Sequence, residues 1–312
     1  MSTVAETPEE HPQPARVQRN NPRLGIALMI LVTAIFAGQD VVSRHLAEHY
    51  NVMSVVMIRY WAFAIFVVLL AAARPGGLRA AVRSRRPGLQ IFRSVLLVAE
   101  ICITVISFVL LGLIGTHAIF AVFPLLVAAL AGPVLGEPVG WRRKLAIGIG
   151  LVGVLVILRP GFQVFSPMAL VPLVAAFMFA LYSLQTRMVA RWDSAETSFF
   201  YTGVAGAVAI SLVAPFWWTP LRGWADWGWM GLLCFTSILG HFILIKVYEV
   251  AEAGTVQPFA YFQLVFVTIM AVTWLGERPD VWTVAGAALI LAAGLYTVLR
   301  EGRLGRMGSA RA

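Results

Sequence analysis

An all-α membrane protein of ten transmembrane helices, arranged as two inverted five-helix repeats, is what this sequence predicts. Three observations carry it: the composition, the placement of the positive charges and an internal repeat. The 312 residues are 60% hydrophobic and 12% charged, whereas a soluble domain is ~45 to 50% apolar and ~25% charged. Such a chain has more apolar surface than a water-facing globule can hide. The formal charge of +9 would suit nucleic acid, but the basic residues sit in short loops between apolar runs. Anchoring at a membrane face accounts for them, which excludes nucleic acid as a partner.

Apolar stretches able to cross ~30 Å of hydrocarbon at 1.5 Å per residue fall at 24 to 43, 52 to 73, 89 to 111, 117 to 136 and 143 to 158. A second series follows at 166 to 187, 197 to 214, 228 to 249, 255 to 275 and 282 to 299. Only Gly112 to Thr116 separate the third from the fourth, so hydropathy alone leaves nine or ten spans. The charges decide between them. With the N-terminus cytoplasmic, the inside segments hold 18 Arg and Lys residues, Arg93 among them, and the outside loops hold 4: Arg44, Arg159, Arg222 and Arg278. Dropping a span would scramble that alternation, so both termini are expected inside.

Residues 1–23 carry Pro8, Pro12, Pro14 and Pro22 with mixed charge and no apolar core, and read as a disordered cytoplasmic tail rather than a signal peptide. Residues 301–312 form a second tail. Cys102 and Cys234 lie in apolar runs without neighbouring Cys or His, so neither a disulfide nor a metal site is implied.

The repeat is visible in short matches at a common spacing. Leu135-Gly136-Glu137 recurs as Leu275-Gly276-Glu277, Trp141 aligns with Trp282 and Gly153 with Gly294, Phe36-Ala37 with Phe179-Ala180 and Arg44 with Arg187, at offsets of 140 to 143. The chain therefore divides into repeats at 24–160 and 163–300. Five helices is an odd number, so the second repeat enters the membrane upside down. Inverted repeats underlie many secondary carriers, whose site lies near the midplane between the halves.

The run from Pro124 to Glu137, followed by Trp141-Arg142-Arg143 and a Gly-rich helix ending at Arg159-Pro160, resembles the signature of the EamA family in the drug/metabolite transporter superfamily. Further matches are Asp40 with Arg44, Arg59, Tyr182 with Arg187, and Gly240-His241 through Tyr248 to Pro258-Phe259-Ala260-Tyr261. The resemblance implies a bacterial inner-membrane secondary transporter that works by alternating access and needs no cofactor, metal or catalytic residue. Its partners would be a small-molecule substrate, the lipid bilayer and, as an arrangement left open, a second copy in a homodimer. Family habit favours export of a small polar or zwitterionic metabolite, amino-acid-like or an opine-type metallophore. The alternative is uptake of a vitamin or nucleoside-like cofactor such as riboflavin or S-adenosylmethionine. Glu100 departs from the family pattern, in which a small or apolar residue is expected there.

Ionisable groups inside spans cost ~2.5 to 3.5 kcal/mol at a helix centre, so each should face a cavity or a partner. Glu100 lies near mid-membrane in the third span, where a carboxyl can exchange a proton, hold a substrate ammonium or form a structural pair. Arg59 has the planar fork to clamp a substrate carboxylate, although pairing with Asp40 is the favoured reading, and Asp40 also has Arg44 at i,i+4. His241 falls near mid-span and is a candidate proton relay, Lys246 is expected to snorkel, and His117 is placed at a wetted interface. Tyr182, Gln185, Gln257, Tyr261 and Gln263 offer uncharged hydrogen-bonding groups, with Trp61 and Phe63 as aromatic surface. Trp217, Trp218, Trp224, Trp227 and Trp229 read as an interfacial belt. Pro124, Pro172 and Pro258 mark kinks within spans, and Glu137 and Glu277 are expected to cap the helix that follows each. A lipid-directed enzyme ranks last, because the five histidines are scattered at 11, 45, 49, 117 and 241. No GxxxxGK[ST] loop is present to cradle a phosphate.

Overall fold

In the computed structural model, which describes residues 21–135, 141–158, 167–251 and 253–309, helices and short connections make up the chain, with no strand among the described residues. Helix α1 (Pro22–His49) starts where Asn21 Oδ1 accepts from the Leu24 amide at 3.2 Å and Pro22 fills the first turn, a position that needs no N–H. Asn51 Oδ1 caps α2 (Val52–Ala72) in the same way, through the Met53 amide at 2.9 Å. Gly76 and Gly77, both at positive φ, then turn the chain into the short α3 (Gly77–Val82), which exposes Leu78 and Val82.

Helix α4 (Pro87–Phe120) is two limbs joined at Gly112, whose φ of 74° and ψ of 172° interrupt the helix. The rings of Phe108 and His117 lie 5.4 Å apart although nine residues separate them. A straight helix would put ~13.5 Å of rise between those positions, so the chain doubles back at Gly112. The reversal expected over Gly112 to Thr116 is thus made at the first of those residues, and the next eight already descend into the bundle. A two-residue turn follows before α5 (Phe123–Leu135). Pro124, expected as a kink inside a span, sits in the first turn of α5, where its missing N–H costs nothing. Pro172 likewise occupies the first turn of α7.

After α6 (Trp141–Leu158) come a 3-10 turn at Pro167–Ala169, α7 (Leu170–Val189), α8 (Ala195–Val213) and α9 (Trp224–Val250). The single turn α10 (Ala253–Val256) leads through 3-10 residues Gln257–Tyr261 into α11 (Phe262–Trp274), and α12 (Val281–Ser309) ends the described chain. Among the described residues six helices are long and apolar enough to cross a membrane, and four shorter apolar helices lie within α5, α6, α11 and α12.

The packing repeats itself between the halves. Helix α1 packs on α9 and α11, and α7 packs on α4 and α5; α2 meets α8, and α6 meets α12. Exchanging α1 with α7, α2 with α8, α4 with α9, α5 with α11 and α6 with α12 maps these pairs onto one another, as a pseudo-two-fold relation between two repeats requires. At the α6–α12 crossing a Cβ on Gly153 would lie 2.8 Å from the Gly286 carbonyl oxygen, and one on Gly286 would lie 2.5 Å from that of Gly153. Only glycine lets these backbones come so close.

Polarity is distributed inside out. Leu69, Leu212, Phe216 and Val281 are exposed, whereas Arg59, Arg93, Glu100, His117 and His241 are buried. That arrangement suits hydrocarbon outside and hydrogen-bonding partners inside. The five tryptophans from Trp217 to Trp229 are exposed around the start of α9, as a belt requires. Arg93, counted from the sequence among cytoplasmic loop charges, is fully buried in α4. Pro87 begins that helix two turns earlier, and the arginine points into the bundle rather than at water.

Candidate functional site

A small cavity of ≈ 50 Å³ lies between the halves. On α1, Phe36, Gln39, Asp40 and Ser43 share one face by their spacing of three and four; on α4, Glu100, Thr104 and Phe108 do the same at i,i+4. The reversal at Gly112 brings His117 and Phe120 back onto that face, and Arg59 from α2, Phe179 from α7, His241 from α9 and Gln263 from α11 close the wall.

Its charged and polar groups are partly satisfied. Asp40 Oδ2 accepts from Gln263 Nε2 at 3.0 Å, and His117 Nε2 stands 3.1 Å from the same oxygen, within ion-pair reach but out of line for a hydrogen bond. Glu100 Oε1 accepts from Thr104 Oγ1 at 2.6 Å, and among the described residues no cation pairs with Glu100. Arg59 Nε donates to Ser237 Oγ, and its Nη2 donates to His241 Nε2 at 3.2 Å. A guanidinium has no acceptor, so His241 Nε2 must be bare and its proton sits on Nδ1. That Nδ1 is buried without a partner, as are Gln39 Oε1 and Ser43 Oγ on the same wall. Buried polar atoms are normally paired; with His117 Nε2 these make four unpartnered atoms on residues of one cavity wall, while six others lie elsewhere among the described residues.

Of the candidates read from the sequence, Glu100, Arg59, Asp40, His241 and Gln263 meet here. Tyr182, Gln185 and Tyr261 do not. Tyr182 accepts from Arg93 Nη1 at 3.2 Å, while Gln185 and Tyr261 are buried elsewhere in the bundle. Nor do the expected pairs form: Asp40 turns to Gln263 and His117 rather than to Arg59 or Arg44. Arg44 instead reaches Glu48 at 2.9 Å and Glu277 at 2.6 Å. His117 is 3% exposed and part of the wall, not at a wetted interface. The fan of rings that holds it, Phe108 on one side and Phe120 on the other, carries no signal in the local sequence. Trp61 faces outward against Trp218, and Phe63 packs behind the cavity on His241. Lys246 pairs with Glu249 at 2.8 Å and with Glu196 at 3.1 Å near the end of α9, and Gln257 donates to the Tyr248 hydroxyl at 2.8 Å.

A model of the EamA-like transporter family matches twice, over residues 23–159 and 166–299. The chain belongs to that family. It is a multi-pass membrane protein of a bacterial transporter family, and curated relatives of similar length are named as carriers. An S-adenosylmethionine uptake transporter of Rickettsia prowazekii is 26% identical over 281 residues, covering 89% of this chain and 93% of that one. A riboflavin transporter of Vibrio cholerae is 27% identical, covering 88% and 92%. The pseudopaline exporter of Pseudomonas aeruginosa is 29% identical over 54% of this chain and 60% of its own. One solved structure, 16% identical, shares the fold at a TM-score of 0.64 over 89% of this chain and 97% of that one.

Two further clusters of this EamA-like chain lie outside the cavity. Arg93 spends its terminal donors on neutral oxygens: Nη1 on the Tyr182 and Thr186 hydroxyls, Nη2 on Gln90 Oε1, the Ser198 carbonyl and the Thr202 hydroxyl, at 2.7 to 3.2 Å, while its Nε is buried without a partner. Glu277, expected to cap the helix after it, caps the second limb of α4 instead and accepts the Leu113 and Ile114 amides at 2.9 Å each. Asp280 caps α12, through the Trp282 amide at 2.8 Å and the Thr283 amide at 3.1 Å. Glu137 and Arg159-Pro160 lie outside the described residues. Among the described residues no three His, Cys, Asp or Glu side chains converge as a metal centre would require.

Proposed function

We propose that this chain is a secondary carrier, not an enzyme, that takes up a zwitterionic or cationic metabolite bearing a flat ring, of the class of an amino-acid-bearing nucleoside. The observation that carries this reading is the meeting of Asp40, Glu100 and Arg59 with the rings of Phe36, Phe108, Phe120 and Phe179 in one cavity. Two carboxylates suit a cationic centre, whose attraction to ring faces adds to theirs. Among the described residues Arg59 Nη1 makes no hydrogen bond, which leaves an arm for a solute carboxylate while Nε and Nη2 keep the guanidinium in place. The flat rings supply stacking surface. Glu100, without an ion pair, exchanges a proton for the solute's cation and so couples the two.

Direction and solute class rest on the relatives. Those covering nine-tenths of this chain are named for S-adenosylmethionine uptake and riboflavin, and the exporter matches only about half of it. Residues 24–160 and 163–300 act as the two repeats, inverted in the inner membrane with both termini cytoplasmic, the topology that the charge asymmetry, 17 to 4 once the buried Arg93 is set aside, supports. The Arg44 end of the bundle then faces the periplasm. Alternating access moves the repeats about the cavity.

Counterflow into proteoliposomes tests the reading, with labelled S-adenosylmethionine, riboflavin and an opine offered in parallel. Accumulation of S-adenosylmethionine, displaced by excess unlabelled solute and accompanied by a change in luminal pH, is the expected outcome. Transport of the opine alone would replace it with the export reading, and lipid hydrolysis without solute movement would end the carrier reading.

A further inference from the structure

We infer that Arg44, Glu277 and Gly112 form a lock that holds the cavity shut at the Arg44 end of the bundle, and that its release exposes the cavity at that face. The inference rests on the carrier reading. Gly276, at a φ of 65°, turns the chain after α11, so that the Glu277 carboxylate points back at the bend of α4. One carboxylate oxygen takes Arg44 Nη1 at 2.6 Å and the Leu113 amide at 2.9 Å, and the other takes the Ile114 amide at 2.9 Å. Those amides open the second limb of α4, where a helix has no internal acceptor for its N–H groups and its dipole favours negative charge. A Cβ at Gly112 would lie 3.0 and 3.1 Å from the two Glu277 oxygens and 3.2 Å from Arg44 Nη1, on a backbone whose φ already requires glycine. No other residue lets the three come together.

Position is what makes this more than a cap. Arg44 lies one turn beyond Asp40 on α1, Gly112 one turn beyond Phe108, and Ile114 one turn before His117, while the helix preceding Glu277 carries Gln263. Each element the carboxylate ties together also contributes a wall of the cavity. The Arg44 and Glu277 side chains are 19% and 17% exposed, so the pair stands at a wetted rim. A pair at such a rim releases at far lower cost than a fully buried one, whose ions have lost their water.

The test needs no transported solute. A single cysteine, Gln39→Cys, reports cavity access in a background carrying Cys102→Ala and Cys234→Ala, with a membrane-impermeant maleimide added at one face or the other. In the E277Q variant, labelling from the Arg44 face should rise about tenfold, the worth of one charge-assisted hydrogen bond, and labelling from the opposite face should fall. E277D, which keeps the carboxylate, should return it toward the starting rate, and D280A, which removes the cap of α12 three residues on, should leave it unchanged. Labelling of E277Q no faster than that of D280A, or raised equally from both faces, overturns the lock. Should E277Q fail to reach the membrane folded, R44Q is held to the same criterion. A shift in labelling without counterflow would keep the lock and remove the carrier reading; counterflow without the shift would do the reverse.

Discussion

Arg59 and Arg93 are both fully buried, and the repeat links them: Thr202, a partner of Arg93, lies 143 positions after Arg59, and Ser237, the partner of Arg59, lies 144 after Arg93. Each arginine thus bonds the residue that stands where the other arginine's counterpart would be. Their surroundings differ. Arg93 gives five hydrogen bonds to protein oxygens and lies over the Tyr182 ring at 5.3 Å, away from the cavity between the halves. Arg59 gives two and borders the cavity. Each leaves one nitrogen without a partner, Nε in Arg93 and Nη1 in Arg59; the one on Arg59 is a terminal arm of a residue that lines the cavity, placed to hold something that comes and goes.

Substitutions sharpen that contrast, and the largest effect is expected at Arg93. Arg93→Met leaves the oxygens of Gln90, Tyr182, Thr186, Ser198 and Thr202 without their donor and should destabilise the bundle by about 3 kcal/mol or more, read as loss of folded protein in detergent melts. Arg59→Gln should keep the melting temperature within a few degrees but, on the proposed role of Arg59 in holding solute, lower transport roughly a hundredfold. Arg59→Lys, retaining charge without the fork, should fall between Gln and wild type. Glu100→Gln should leave folding intact and, on the proposed coupling role, abolish the luminal pH change expected to accompany transport; a variant with normal coupled transport would reduce Glu100 to packing. The smallest pair is Thr202→Val against Ser237→Ala, each expected at about 1 kcal/mol or less. Equal losses of stability and transport in R59Q and R93M would erase the distinction.

How much of this was legible beforehand depends on the range of the interaction. The spans, the repeat and the cavity positions Asp40, Arg59, Glu100 and His241 follow from a charge or imidazole standing in an apolar run, because the membrane makes each such residue conspicuous. Arg93 escaped because it follows the basic run Arg83 to Arg86, and nothing local separates a loop cation from one rotated inward six residues after Pro87. The polar residues that receive it come from α7 and α8, about a hundred positions away. His117 was misplaced for a geometric reason: drawing the turn over five residues leaves it at the surface, whereas reversal at Gly112 alone carries it more than a turn into the bundle. Tyr182, Gln185 and Tyr261 lie off this cavity for the opposite reason, since a polar side chain in a span can line a cavity only where its helical face allows it.

The size of the cavity bears on how binding to this protein should be measured. At ≈ 50 Å³ it has room for about three or four waters, whereas sites for drug-sized ligands run to several hundred cubic ångströms. A nucleoside-sized solute, of the class proposed, must therefore meet a widened form of the site, and its apparent affinity is the intrinsic one reduced by the fraction of molecules so widened. A substitution that merely favours the widened form would tighten equilibrium binding and slow turnover together, so ranking solutes by affinity alone would rank them by conformational population rather than by fit.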